Sequence, residues 1–265
     1  MKGFRSVTIK EYETNQGLAK SLIAGITELC ERFGRVIVVE DDILTHRSFL
    51  RFMNEGLNKY ENNDEVFSVS GYWAQKYIKG DNIAFFMKTS GIWGWATWKR
   101  AWDFYDYNAS GWERLLKDKR LAWDFDLQGR YNFTSMLFRQ VKYDIETWDI
   151  QWYWVVFMYG GLTLFPPYSL TTNIGFDELS THTFESDNKI VRNIDLNIDV
   201  PITMPDKFHV DKEKHESYAE SSYIKLHDRY KSGWSIKTLF WFLYRPLRYI
   251  EMILPFGMRL GVWKR

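Results

Sequence analysis

The sequence predicts an α/β protein. Three observations carry this: helical and strand-like apolar patterns alternate from residue 18 to residue 70, the connections between them are short, and a run of carboxylates stands directly after the first apolar strand.

The first helix is written in Leu18, Leu22, Ile26, Leu29 and Phe33, which recur at helical spacing, with Ile23 and Cys30 widening the stripe. Asn15 stands where a cap belongs, and Gly34 ends the helix. Residues 35–39 (Arg-Val-Ile-Val-Val) form a short apolar run of the kind a sheet buries on both faces. Phe49, Met53, Leu57 and Tyr60 mark one face of a second helix, and residues 66–70 (Val-Phe-Ser-Val-Ser) a strand stopped by Gly71. Residues 83–87 read as a further strand. Residues 91–98 (Gly-Ile-Trp-Gly-Trp-Ala-Thr-Trp) read as a glycine–tryptophan turn entering a helix through Lys99 and Trp102. Residues 105–143 are mixed and mainly helical, 148–159 a helix and 162–165 a strand. Residues 172–187, rich in Asn, Gly, Ser and Thr, read as a loop. This divides the chain into an α/β unit over 1–187, a polar and poorly patterned connecting segment over 188–224, and a tail over 225–265. No internal repeat is present.

Composition excludes several classes. A chain of 265 residues, 45% hydrophobic and 26% charged, builds a sizeable core and is not disordered. A net charge of +1 leaves no electrostatic footprint for nucleic acid. A single cysteine, Cys30, excludes a disulfide framework and any multi-cysteine zinc site; on its apolar helix face it reads as core. His46, His209, His215 and His227 lack metal-cluster spacing and read as surface residues. Ser21 and Ser68 lack flanking elbow glycines, which leaves hydrolase chemistry unsupported. The uncharged stretch 150–176 is cut by Gly160-Gly161 and Pro166-Pro167 into pieces too short to span a membrane. Aromatic residues reach 18%, which suits sugar rings or a membrane interface as well as an ordinary core.

Charge is uneven. Residues 225–265 carry nine basic and two acidic residues, with Trp234, Phe240, Trp241 and Phe242 among the aromatics and Pro246 and Pro255 as breaks. Such an amphipathic helical extension reads as an interfacial anchor on an anionic membrane surface, or as a helical pair packed on the core with a basic outer face.

Glu40, Asp41 and Asp42 are the chief candidates for chemistry. Adjacent carboxylates repel, and at the end of an apolar strand they lie at the sheet's carboxyl edge, where open α/β sheets bind ligands. A divalent cation with hard oxygen ligands, Mn²⁺ or Mg²⁺, best explains the cluster; the alternative is an acidic turn favouring the next helix through its dipole.

The run Val-Ile-Val-Val-Glu-Asp-Asp-Ile (36–43), followed by a helix and Phe-Ser-Val-Ser-Gly-Tyr (67–72), resembles the GT-A class of nucleotide-sugar glycosyltransferases. Within it the chain is most similar to N-acetylglucosaminyltransferase I and to bacterial surface-polysaccharide sugar transferases. The resemblance runs from about Thr14 to His182 and includes Asn15-Gln-Gly-Leu18, the 91–98 turn, Trp148-Asp-Ile-Gln-Trp152 and the 173–182 loop. It implies a Rossmann-like mixed sheet flanked by helices and an inverting, metal-dependent sugar transfer to a glycan or lipid-linked acceptor. The donor would be a nucleoside-diphosphate sugar, a UDP-sugar first, and the setting the cytoplasmic face of the cell membrane.

Carried over by position, Asp42 is the metal ligand, and Glu40, Asp41, Asn15 and Gly17 bind the donor. Asp149 is the base that takes the acceptor hydroxyl proton, with Asp144 and Glu146 as runners-up. Read without the resemblance, Asp149 is equally a helix N-cap. Trp148, Trp152 and Trp154 beside it would offer flat faces to a sugar. Gly94 and Trp95 resemble a sugar platform, or else form a buried aromatic corner. His182 lies in a loop resembling one that orders over the donor, where it would contact phosphate or serve as a second metal ligand, or else stand exposed.

The chain also departs from the pattern. The triplet arrives after one helix and a candidate strand at 6–9, so one or two βα units of the nucleotide-binding half are expected to be absent, roughly 50 residues at ~30 per βαβ unit. A basic residue expected shortly before Asn15 is replaced by Tyr12 and Glu13. That departure keeps two other readings open: a truncated sugar-binding module without turnover, and a membrane-surface scaffold.

Overall fold

The computed structural model describes residues 4–75, 77–143, 145–175, 197–198 and 200–219. His182, Asp144 and the tail 225–265 lie outside the described residues.

Residues 4–17 have no helix or strand, so the strand expected at 6–9 is absent. Helix α1 (Leu18–Phe33) ends on Gly34, whose φ of 74° is left-handed and whose N–H donates to the Cys30 carbonyl at 2.8 Å. Strand β1 (Arg35–Val38) follows, then the carboxylates, then a short strand β2 (Ile43–Thr45) and helix α2 (Phe49–Lys59). Strands β3 (Val66–Ser70), β4 (Phe85–Met87) and β5 (Trp95–Trp98) come next, followed by the helices α3 (Lys99–Trp102), α4 (Arg114–Lys117), α5 (Lys119–Phe125), α6 (Phe133–Tyr143) and α7 (Asp149–Met158). Strands β6 (Leu162–Phe165) and β7 (Thr171–Asn173) and helix α8 (Lys212–Ala219) complete the described elements.

The main sheet is mixed, in the order β1-β5-β3-β6-β4. β3 and β6 are parallel, while β5 runs antiparallel to both β1 and β3, and β4 antiparallel to β6. The carboxyl ends of β1, β3 and β6 therefore share one edge. Helices cover both faces, and the arrangement is compatible with a Rossmann-like α/β fold. A second sheet pairs β2 with β7, Ile43 opposite Asn173.

Two expectations are corrected. Residues 95–98 are a buried sheet strand, not the end of a turn, and residues 171–173 are a strand, so the loop begins later than its composition suggested. Alternation along β5 sends Trp95 and Trp98 to opposite faces. Trp98 joins the core beneath α2, where its Nε1–H donates to the Leu57 carbonyl at 3.1 Å. Trp95 joins the core beneath α1 and α7.

The segment expected to be a polar connector is not one where it is described. Ile198, Val200, Ile202, Met204 and Val210 pack against the α2-side core. Tyr218 of α8 stacks on Trp73 with ring centroids 5.9 Å apart. The apolar residues of this stretch are spaced too irregularly to show a period, which hides their burial in the sequence. His46, expected at the surface, is buried; its Nδ1 accepts the Ser48 N–H at 3.1 Å.

Candidate functional site: a carboxylate rim at the sheet edge

β1 delivers Glu40, Asp41 and Asp42 to the carboxyl edge of the sheet, and β2 turns the chain away again. Asp42 is fixed by β7. Its carbonyl accepts the Ile174 N–H at 2.8 Å, and its Oδ2 accepts from Asn173 Nδ2 at 3.0 Å. The Asn173 amide is itself oriented, because its Oδ1 accepts the Gly175 N–H at 2.7 Å. Gly175 packs so closely that a Cβ there would lie 2.6 Å from Asp42 Oδ2.

Asp149 opens α7, in the first turn, where the helix dipole favours a negative group. The Thr147 hydroxyl donates to its Oδ1. Thr147 is held in turn through its carbonyl, which accepts from Gln151 Nε2 at 2.9 Å. The Tyr105 hydroxyl donates to the Trp148 carbonyl at 3.1 Å, one residue from Asp149.

The two acidic segments share one electric field. Burial and the charges of Asp42, Asp149 and Asp41 push the Glu40 carboxyl up to about 7. Burial, then Asp149, also raises the Tyr105 phenol, and burial, Tyr218 and Asp149 raise Tyr131. Burial together with crowding by like charges thus keeps one carboxyl of the rim partly protonated at neutral pH.

The α1 entry comes to the same place. Asn15 does not cap the helix directly: Gly17 is the N-cap, and Asn15 Oδ1 accepts the Gly17 N–H at 2.8 Å. Gly17 has φ 77°, and a Cβ there would fall 1.8 Å from Glu146 Oε1, so the glycine lets the chain pass the segment that leads into Asp149. Glu40 thus lies within electrostatic reach of both Asp42 and Asp149, and Gly17 sits beside Glu146. Asp41 is exposed on the same turn.

The tryptophans are corrected. Trp95 is fully buried, stacked on Trp148 at 5.4 Å and tilted against Trp152 at 5.6 Å. Trp148 and Trp154 are each 3% exposed and Trp152 is 0% exposed. All four rings are buried rather than open to a sugar: Trp95, Trp148 and Trp152 pack together where α7 meets the sheet, and Trp154 packs on the opposite side of α7 with Phe125. Gly94 has φ 70°, and a Cβ there would lie 2.7 Å from Thr171 Cγ2, so protein rather than ligand occupies the space the glycine leaves.

Asn173, Thr147 and Tyr105 were not singled out as site residues in the sequence. Thr147 was the most accessible of them, as a hydroxyl two positions before a candidate base. Asn173 depends on the pairing of two three-residue strands, for which no local signal exists. Among the described residues no group of three or more His, Cys, Asp or Glu side chains is arranged to hold a metal. A single aspartate fits the alternative in which phosphate oxygens and waters complete a magnesium-like shell. No family model matches the chain, and no curated protein matches it either.

Proposed function

We propose that this chain is an inverting, metal-dependent glycosyltransferase of the GT-A class, moving a sugar from a nucleoside diphosphate to a hydroxyl of a glycan or lipid-linked acceptor. The observation that carries this reading is the run of carboxylates at the carboxyl end of β1, in which Asp42 is held in place by Asn173 of β7. Asp42 would hold Mn²⁺ or Mg²⁺, which when bound neutralises the charge that builds on the departing diphosphate. Asp149, oriented by Thr147, takes the acceptor proton. Glu40, Asp41, Asn15 and Gly17 line the donor side. The basic tail 225–265 would bring the enzyme to the cytoplasmic face of an anionic membrane, where cell-surface polysaccharide is assembled.

Calorimetric titration with a UDP-sugar, with and without Mn²⁺, tests this. Metal-linked binding is expected, and Asp42→Asn should abolish the linkage. A hydrolysis screen across UDP, GDP, CMP and dTDP sugars then identifies the donor.

One observation favours a second reading, a sugar-binding module without turnover. Among the described residues β1 is an outer strand of the sheet, and none of them forms a strand beyond it to contribute to a base pocket. In that case the titration shows no metal-linked binding of the nucleotide sugar.

A further inference from the structure

A second cleft lies away from the carboxylate rim. Arg47, Ser48, Arg51, Phe52 and Glu55 face Val200, Pro201 and Ile202 across about 420 Å³, a volume that suits a small ligand.

Its walls differ in chemistry. One carries Arg47 and Arg51, four residues apart. Arg51 makes no hydrogen bond or ion pair among the described residues, although Glu55 stands one helical turn further on. The other wall is apolar and fixed in place: Val200 and Ile202 pack on the core, and the Tyr168 hydroxyl donates to the Val200 carbonyl at 2.6 Å. Phe52 of α2 closes the floor.

Arg51, with no partner among the described residues, Arg47 one helical turn before it, and a rigid apolar wall opposite are the elements of a site for an anion on an organic group. Arginine binds phosphate oxygens through paired, charge-assisted N–H bonds. Glu55 sets an upper limit on the ligand's charge, because each further negative group placed in the cleft is repelled by its carboxylate.

We propose that this cleft binds a phosphate monoester with an apolar organic part, the phosphate on Arg51 and Arg47 and the organic group against Phe52, Val200, Pro201 and Ile202. The proposal stands apart from the glycosyl-transfer reading, since none of these residues belongs to the carboxylate rim. A soluble phosphoester and a phosphomonoester lipid headgroup share this chemistry.

The test titrates the full chain with phenyl phosphate and with inorganic phosphate. Phenyl phosphate should bind at least about fivefold more tightly, because only it buries apolar surface on the far wall. Arg51→Gln should weaken it at least about tenfold, and Arg120→Gln, a change at an exposed arginine on α5, should leave it unaltered. Glu55→Gln should tighten it. Equal affinity for the two probes, or equal binding by wild type and Arg51→Gln, overturns the proposal. Flotation with phosphatidylcholine vesicles with and without phosphatidic acid separates the sources. Binding to phosphatidic acid that is lost in Arg51→Gln assigns a lipid headgroup. Vesicle binding indifferent to Arg51, alongside Arg51-dependent binding of phenyl phosphate, assigns a soluble ester. A thermal melt of Arg51→Gln matching wild type shows that any loss is not unfolding.

Discussion

Trp148 and Asp149 are neighbours in sequence and belong to two different regions of the molecule. The tryptophan points down into a slab of rings formed with Trp95, Trp102 and Trp152, and the aspartate stands above it on the carboxylate rim. The slab's residues are close to fully buried; the rim is half-exposed and dense in negative charge. The difference teaches that aromatic residues beside a polar site need not touch a ligand. Here they supply a rigid floor that fixes where α7 begins, and with it where the candidate base stands. Close packing makes such a floor stiff, since interdigitated rings leave little room to shift.

Breaking each region separately should give opposite signatures, and these are the largest effects expected. Trp152→Ala empties the middle of the slab and should cost about 3–5 kcal/mol in urea unfolding, with activity falling only through loss of folded protein. Asp149→Asn should do the reverse. Its melting curve should match wild type, while donor binding persists and kcat falls about 10²–10⁴-fold. If Asp149→Asn turned over at the wild-type rate, its role as base would be lost. Trp152→Phe sharpens the contrast. The Trp152 Nε1–H has no hydrogen-bond partner among the described residues, so a smaller ring should cost less than the alanine change and leave kcat intact.

Between the two regions lies Gly94. Its carbonyl accepts the Gly71 N–H at 2.7 Å, its φ is 70°, and Thr171 and Phe49 occupy the space a side chain would need. Gly94→Ala should therefore cost about 1–3 kcal/mol, from the left-handed backbone and the forced shift of Thr171 together. Because Thr171 opens β7, and β7 carries Asn173 to Asp42, the same variant should also weaken Mn²⁺ binding, measured by titration. A variant as stable as wild type would show that the junction yields without strain.

How much of this could be read from the sequence follows from the range of the forces involved. Helix α1 and strands β1, β3 and β6 were legible because each writes its burial locally, through 3.6-residue spacing or a continuous apolar run. The acidic triplet was legible for the same reason: carboxylates directly after Val36–Val39 have one place to go. Strand β5 was misread because Gly91, Gly94 and alternating tryptophans look like a turn, and only its insertion between β1 and β3 makes it a strand. β2 and β7 are three residues each and exist through their mutual pairing, a contact across more than 120 residues that no window of sequence contains. The tryptophan platform failed on the same ground. Composition counts rings, but whether a ring faces sugar or core is set by the partner strand and by the period of two, which tie Trp95 to Trp148 and Trp152.

The smallest expected effect is a pH dependence, and it tests whether the rim is a charged unit at all. Glu40 is raised from 4.5 to about 7 in the folded protein, by burial first and then by Asp42, Asp149 and Asp41. In the unfolded chain it titrates near its ordinary value. The folded state therefore holds the proton more tightly, and the stability this contributes is complete below about pH 4.5 and lost as pH rises through about 7. Glu40→Gln keeps the shape without the charge, so the loss should vanish. Relative to wild type, the variant should melt higher at pH 8 than at pH 5, by an increment of about 1 kcal/mol once solvent screening of a half-exposed group is allowed for, or roughly 2–4 °C. The slab provides the control: Trp152→Phe removes no titrating group, and its offset from wild type should be the same at both pH values. A Glu40→Gln offset equally flat with pH would mean that the carboxylates at the sheet edge do not feel one another, and the single field that joins Glu40 to Asp149 would be gone.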